Sequence, residues 1–305
     1  MIKRDAESWG KLGDEAAFYA APGLMTDLTA CPQWSLEGLP DDPSEVCRVV
    51  QGVLVHEEWA PAYGLYLSED RRQQVRIRPA AAMVEEILAM DPAPIVEPRP
   101  PERRMVGNCR HFATLTTAFL RRAGVPARAR CGFASYFEPG RMVDHWITEH
   151  RAGARWVRVD SQLDELQRKV LEPEFDPTAI PVGRFLPAGE AWALCRTGSD
   201  DPSRFGIFDM WGMWFIRSNV VRDLAALNKM ELLPWDAWGP MTFRRDPDPD
   251  QATLVDEIAA IIATDDVTSI RLLYESDAGL AVPATVYDGR FGVAHPIGPE
   301  GHPSG

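Results

Sequence analysis

The chain is 305 residues long, 45% hydrophobic and 25% charged, a globular mix that excludes an intrinsically disordered chain. Its 45 Asp and Glu against 32 Lys and Arg give a formal net charge of −13, which repels phosphate backbones and anionic lipid and argues against nucleic acid or a membrane surface as partner. No apolar run approaches the roughly 20 residues that span a bilayer, and five cysteines, an odd number in a long chain, imply no disulfide framework.

Met1 to Ala21 scatters its charges and lacks the apolar stretch of a secretory leader, so together with the cysteines it points to a reducing cytoplasm. No repeat of 20 to 50 residues is present, which excludes solenoids and propellers. Residues 1–40 read as loop-rich. Asp42 to Trp59 then carries Val46, Val49, Val50, Val53 and Leu54 at helical spacing after an Asp-Pro-Ser start, which predicts an amphipathic helix. A second helix is predicted from Pro79 to Met90. The Pro-dense DPAPIVEPRPPERR that follows ends regular structure near 91–104.

Residues 101–160 hold 11 Arg against 5 Asp and Glu, a local excess of +6 in an acidic chain. A helix is predicted from about Cys109 to Ala123, stopped by Gly124 and Pro126. Ala127 to Tyr136, Asp144 to His150 and Trp156 to Asp160 read as strands separated by Gly-containing turns. Further helices are expected at Asp164 to Leu171, around Phe215 to Met230, and at Thr253 to Ala263, and HPIGPEGHPSG has the composition of an unpacked tail.

The chemistry concentrates in the middle segment. Gly107-Asn108-Cys109 puts a cysteine on the first turn of a helix, where unpaired backbone N–H groups and the macrodipole stabilise a thiolate. Gly107, without a Cβ, lets the chain turn tightly and a substrate backbone approach. Downstream, Asp144-His145-Trp146 and Trp156 to Asp160 form a predicted hairpin. A turn centred on Ala152 and Gly153 would pair His150 with Arg155 and His145 with Asp160, close enough for the carboxylate to fix the imidazole tautomer.

The run GNCRHFATLTTAFLRRAGVPARARCGF, followed by DHWITE and RWVRVD, resembles the transglutaminase-like superfamily, a papain-related group, over about 55 residues. The resemblance implies an α+β fold with a papain-like core, in which the Cys109 helix packs on an antiparallel sheet with flanking helices. It also implies roles for three residues: Cys109 as nucleophile, His145 as general base and acid, and Asp160 as the orienting carboxylate. One departure stands beside the histidine, where many members have His-Ala-Trp-x-Glu and this chain has Trp146 directly after His145.

An oxyanion would take its first donor from the Cys109 backbone N–H, and His56, Trp59 and Tyr63 are candidates for a second. Cys31, Cys47, Cys131 and Cys195 read as small buried hydrophobes. His111 falls away from Cys109 on the helix, His56-Glu57 has Ala60 where a zinc motif needs a second histidine, and no C-x-x-C pair occurs; no metal and no cofactor are expected. Asp209 to Phe215 reads as core, with the lining of a substrate groove as the alternative. Arg128, Arg130 and Arg158 are expected to pair with carboxylates, Glu149 among them.

The organisation expected is a mainly helical extension over 1–100, the catalytic core over 101–185, a mixed and mostly helical extension over 186–290, and a flexible tail over 291–305. The expected activity is cysteine-dependent acyl transfer on an amide- or peptide-containing substrate, hydrolytic in outcome. A catalytically inactive binding scaffold and an amide-forming acyltransferase are the alternatives.

Overall fold

Asp42 opens the first long helix by accepting hydrogen bonds from the Ser44 and Glu45 N–H groups, with Pro43 at the first helical position where its missing N–H is not needed. That helix belongs to a computed structural model that describes residues 13–241 and 245–297. Residues 1–12, which include much of the segment read as lacking a leader, and 298–305, most of the expected tail, lie outside the described residues.

The described residues fall into two compact units, one within 1–129 and 146–181 and the other within 130–145 and 182–305. In the first, helices α1 (Asp14–Ala20), α2 (Pro43–Val53), α3 (Glu69–Gln73) and α4 (Ala80–Met90) precede α5 (Cys109–Arg122), and α6 (Glu165–Leu171) closes the series. Val46, Val50 and Val53 of α2, Met83, Val84 and Ile87 of α4, and Phe112, Leu115 and Phe119 of α5 share one core. Each such side chain contributes about 1.5–3 kcal/mol on full burial.

The helix predicted over 42–59 ends early. Leu54–His56 is strand β1, pairing in parallel with β2 (Met105–Gly107) so that His56 lies opposite Gly107. Leu54 and Val55 are buried by this pairing, which outweighs their helical spacing, and residues 57–63 continue as a 3₁₀ helix.

Strands β3 (Ala127–Ala134) and β4 (Met142–Ala152) each contribute residues to both units. In the first unit β4 pairs antiparallel with β5 (Arg155–Val159), matching Ala152 with Arg155 and Thr148 with Val159. The expected turn is therefore wrong by one residue on each strand. Gly153 and Ala154 form the turn, and the ladder carried one step further sets Asp160 against Ile147, not His145. Gly153 has φ of +62°, which requires it at the first turn position, where a hairpin turn with a single positive φ takes glycine.

In the second unit β3 and β4 lie within the order β6-β3-β4-β7-β8, formed with β6 (Phe185–Pro187), β7 (Phe205–Ile207) and β8 (Met210–Trp211). Helices α7 (Ala188–Arg196), α8 (Met213–Leu227), α9 (Pro249–Ala263) and α10 (Val267–Ser276) pack around a core containing Trp192, Ile216, Val220, Leu224, Val255, Ile258 and Ile270. Strands β9 (Asp236–Ala237), β10 (Thr285–Asp288) and β11 (Val293–Pro296) form a small antiparallel sheet. Residues 293–296, assigned by position to the flexible tail, thus close a hairpin. The fold is α+β, and among the described residues no helix is long and apolar enough to cross a membrane.

Candidate active site

Cys109 is the first residue of α5. Asn108 caps the helix, its Oδ1 accepting from the Arg110 N–H at 3.1 Å, while the Asn108 N–H donates to His111 Nδ1 at 3.1 Å, a reciprocal capping box. His111 is thus a helix-capping residue, and burial holds its imidazole well below the usual histidine range, with the Arg110 charge adding to the effect. This also explains Gly107, because a Cβ there would meet His111 Cβ at 2.9 Å and Cγ at 3.1 Å. The glycine makes room for the capping histidine.

Helix α5 rests on β4 through a threonine cluster. Thr148 Oγ1 donates to the Ala113 carbonyl at 2.9 Å and lies 3.3 Å from Thr117 Oγ1, and Thr116 Oγ1 donates to Ser161 Oγ at 2.8 Å. Since the Arg151 N–H donates to Pro126 O beyond the far end of the helix, β4 and α5 run in the same direction. Trp146, two residues before Thr148, therefore lies toward the N-terminal turn that bears Cys109. Its ring is buried, and its indole N–H has no hydrogen-bond partner among the described residues.

Of the three residues singled out from sequence, Cys109 and Asp160 fall in the first unit and His145 in the second. Asp160 is buried directly after β5. Its N–H donates to Pro177 O at 2.8 Å, and its Oδ1 accepts from the Gln162 N–H at 3.0 Å. It also lines a cavity of about 580 Å³ together with Cys47, Asp164 and Asp176. His145 is buried, with the rings of Phe137 and Tyr136 at centroid distances of 4.8 and 5.9 Å.

The neighbouring Asp144 accepts from Asn219 Nδ2 at 2.7 Å, and Asn219 Oδ1 in turn accepts from Arg222 at 3.0 Å. Burial pushes the Asp144 carboxyl up, against the opposing pull of the Arg222 charge. One helical turn on, Asp223 accepts from Arg130 Nε and Nη2 at 3.0 and 2.7 Å and from the Cys131 N–H at 2.9 Å. This polar stripe of α8 was not singled out from sequence. Its spacing, Asn219, Arg222 and Asp223 inside an apolar helix, was the available signal.

The other four cysteines are buried. Burial pushes the thiols up to about 11 at Cys31 and about 12 at Cys47 and Cys195. Arg128 and Arg158 both bond Glu149, at 2.8 and 3.1 Å, and Arg130 bonds Asp223, so all three arginines pair with carboxylates as expected. Of the upstream candidates, His56 stacks on Phe112 and its Nδ1 accepts from the Glu58 N–H, while Tyr63 donates to Asp164 at 2.6 Å. Trp59 is half-buried. Asp209 to Phe215 is less buried than expected: Phe215 is in the core, whereas Met210 to Trp214 are only half-buried.

The family model of the transglutaminase-like superfamily matches residues 91–161, a segment that includes Cys109, His145 and Asp160. No curated protein matches the sequence. A crystal structure from Cytophaga hutchinsonii, named provisionally as a cysteine protease, is similar at 14% identity and a TM-score of 0.35. The similarity covers 58% of this chain and 47% of that one, so this chain matches about half of its neighbour's length. Over residues 91–161 the chain is therefore similar to the transglutaminase-like superfamily.

Proposed function

We propose that the protein is a cysteine-dependent acyl-transfer enzyme that hydrolyses an amide or peptide bond through a thioester, with Cys109, His145 and Asp160 as its catalytic residues. The observation that carries this reading is Cys109 at the first position of a capped 14-residue helix, inside the segment matched by the family model. Helix N-termini lower thiol pKa values, and the backbone N–H there is an oxyanion donor.

The thiolate attacks the substrate carbonyl and forms the C–S bond. The His145 imidazolium gives its proton to the departing amine as the C–N bond breaks. His145 then takes a proton from water, whose oxygen attacks the thioester, and C–S cleavage releases the acid and restores the thiolate. Asp160 holds the imidazole in its tautomer. The reading requires His145 to present its ring on the side of β4 that Thr148 presents to α5. That takes one irregular residue between them, and residues 144–147 are the stretch of β4 paired with neither β5 nor β7.

The test is incubation with a library of amides and peptides followed by mass spectrometry of the intact protein. An acyl adduct on Cys109, absent together with turnover from a folded Cys109→Ala variant, is the expected result. Turnover that survives in Cys109→Ala would overturn the reading, and so would the absence of both adduct and turnover across the library, the outcome a binding scaffold would give.

A further inference from the structure

Asn108, in the first unit, carries a hydrogen-bond donor that the fold does not use. Its side chain caps α5, with Oδ1 accepting from the Arg110 N–H at 3.1 Å. Because that N–H can only donate, it fixes which end of the carboxamide is oxygen. The Nδ2 end is buried and has no hydrogen-bond partner among the described residues. Leaving a buried amide donor unmade is costly, and such a group calls for a reason.

Capping is not that reason. Asp and Ser cap helices about as well as Asn, and a carboxylate would also suit the positive end of the helix macrodipole. What Asn adds at this position is the amide NH₂ group.

The chain itself places that group beside Cys109. The few covalent bonds between Asn108 Nδ2 and the Cys109 backbone nitrogen hold the two within about 6 Å of each other. Two donors sharing one oxygen at about 2.9 Å each stand up to about 5.8 Å apart, so an oxygen held by the Cys109 N–H is within reach of the amide as well. Trp146 Nε1 is likewise without a partner, but only the register of β4 brings it toward this turn, whereas Asn108 is joined to Cys109 directly. Cys109 and Asn108 are 8 and 5% exposed, so an acyl group that gains the sulfur does so where bulk water cannot stand in for a missing donor.

We propose that Asn108 is a catalytic residue, its Nδ2 supplying the second hydrogen bond, beside the Cys109 N–H, to the oxyanion that forms when the thiolate attacks the acyl carbonyl. The inference rests on the acyl-transfer role proposed for Cys109.

The experiment compares two reactions of Cys109 in the full chain. p-Nitrophenyl acetate is attacked at its carbonyl: the C–S bond forms, the carbonyl electron pair moves onto oxygen, and collapse of that oxyanion breaks the ester C–O bond and releases p-nitrophenolate. Iodoacetamide alkylates the same thiolate by displacing iodide from carbon, with no oxyanion. Peptide mapping by mass spectrometry gives both rates at Cys109, and their ratio cancels a change in how much thiolate is present. Asn108→Asp keeps the cap without the donor, and Asn108→Ala removes both without adding a charge. In each, acetylation relative to alkylation should fall at least about tenfold, a floor under the roughly 100- to 1,000-fold cost of losing one oxyanion donor. Asn108→Asp decides the matter where loss of the cap unfolds Asn108→Ala. A smaller fall in the folded variants, with Cys109 of the unsubstituted protein acetylated, overturns this inference and leaves the proposed function standing. No acetylation of Cys109 in the unsubstituted protein overturns both.

Discussion

Alkylation by iodoacetamide separates an activated Cys109 from a merely buried one, because exposure is not a variable. Cys109, Cys31 and Cys195 are 8, 7 and 9% exposed, so differences in rate reflect ionisation. With its thiol at about 11, Cys31 is ionised to about one part in ten thousand at pH 7. A cysteine with an ordinary value near 8.5 is ionised to a few per cent. The roughly 300-fold advantage in thiolate is offset about 10- to 20-fold by lower intrinsic nucleophilicity, at a Brønsted coefficient of about 0.4–0.5, leaving about 20-fold. Any stabilisation of a thiolate by the α5 terminus would widen the gap. The assay is peptide mapping by mass spectrometry across pH 6–9. Labelling of Cys31 and Cys195 should rise about tenfold per pH unit throughout, while labelling of Cys109 should level off within the range. A Cys109 rate within about threefold of Cys31 or Cys195 at pH 7 would refute the argument that its place on the helix activates it.

Asp223→Asn leaves the buried Arg130 guanidinium without its carboxylate and should cost about 3–5 kcal/mol in urea unfolding, whereas Arg130→Met with Asp223→Leu should cost far less. Gly107→Ala forces a Cβ to within 2.9 Å of His111 and should cost about 1–3 kcal/mol while slowing Cys109 alkylation, both read on the same sample. Burial depresses the native pKa of His111 and of His150, so the stability linked to them is fully present above the unfolded value near 6.5. It is lost as pH falls from there through the depressed native values, by up to about 1.4 kcal/mol per pH unit for each group. Urea titrations between pH 7.5 and 5 should therefore show a shallower decline for His150→Gln than for the unsubstituted protein.

Local chemistry was enough to read the helix and hairpin that carry the candidate site from sequence. The α5 start, its Gly124 stop and the β4–β5 hairpin rest on caps, periodicity and turn residues that act over a few positions. The exact hairpin register was within reach as well, since the one positive φ of the turn has to fall on Gly153. The capping role of His111 depends on its ring folding back on Asn108, which a spacing of three residues permits but does not by itself require.

The sequence by itself determined that residue 109 would begin a helix and that a histidine strand and an aspartate strand would follow. Only the tertiary structure decided that α2 gives way to a strand after Val53, because the partner strand lies about 50 residues further on. It alone decided that α8 would supply a buried polar stripe, with Asn219 and Asp223 bonded to residues 75 and 93 positions earlier. Caps and turns are settled by neighbours along the chain, whereas the cost of burying a charge is met only by whichever distant group the packed fold brings within hydrogen-bond reach.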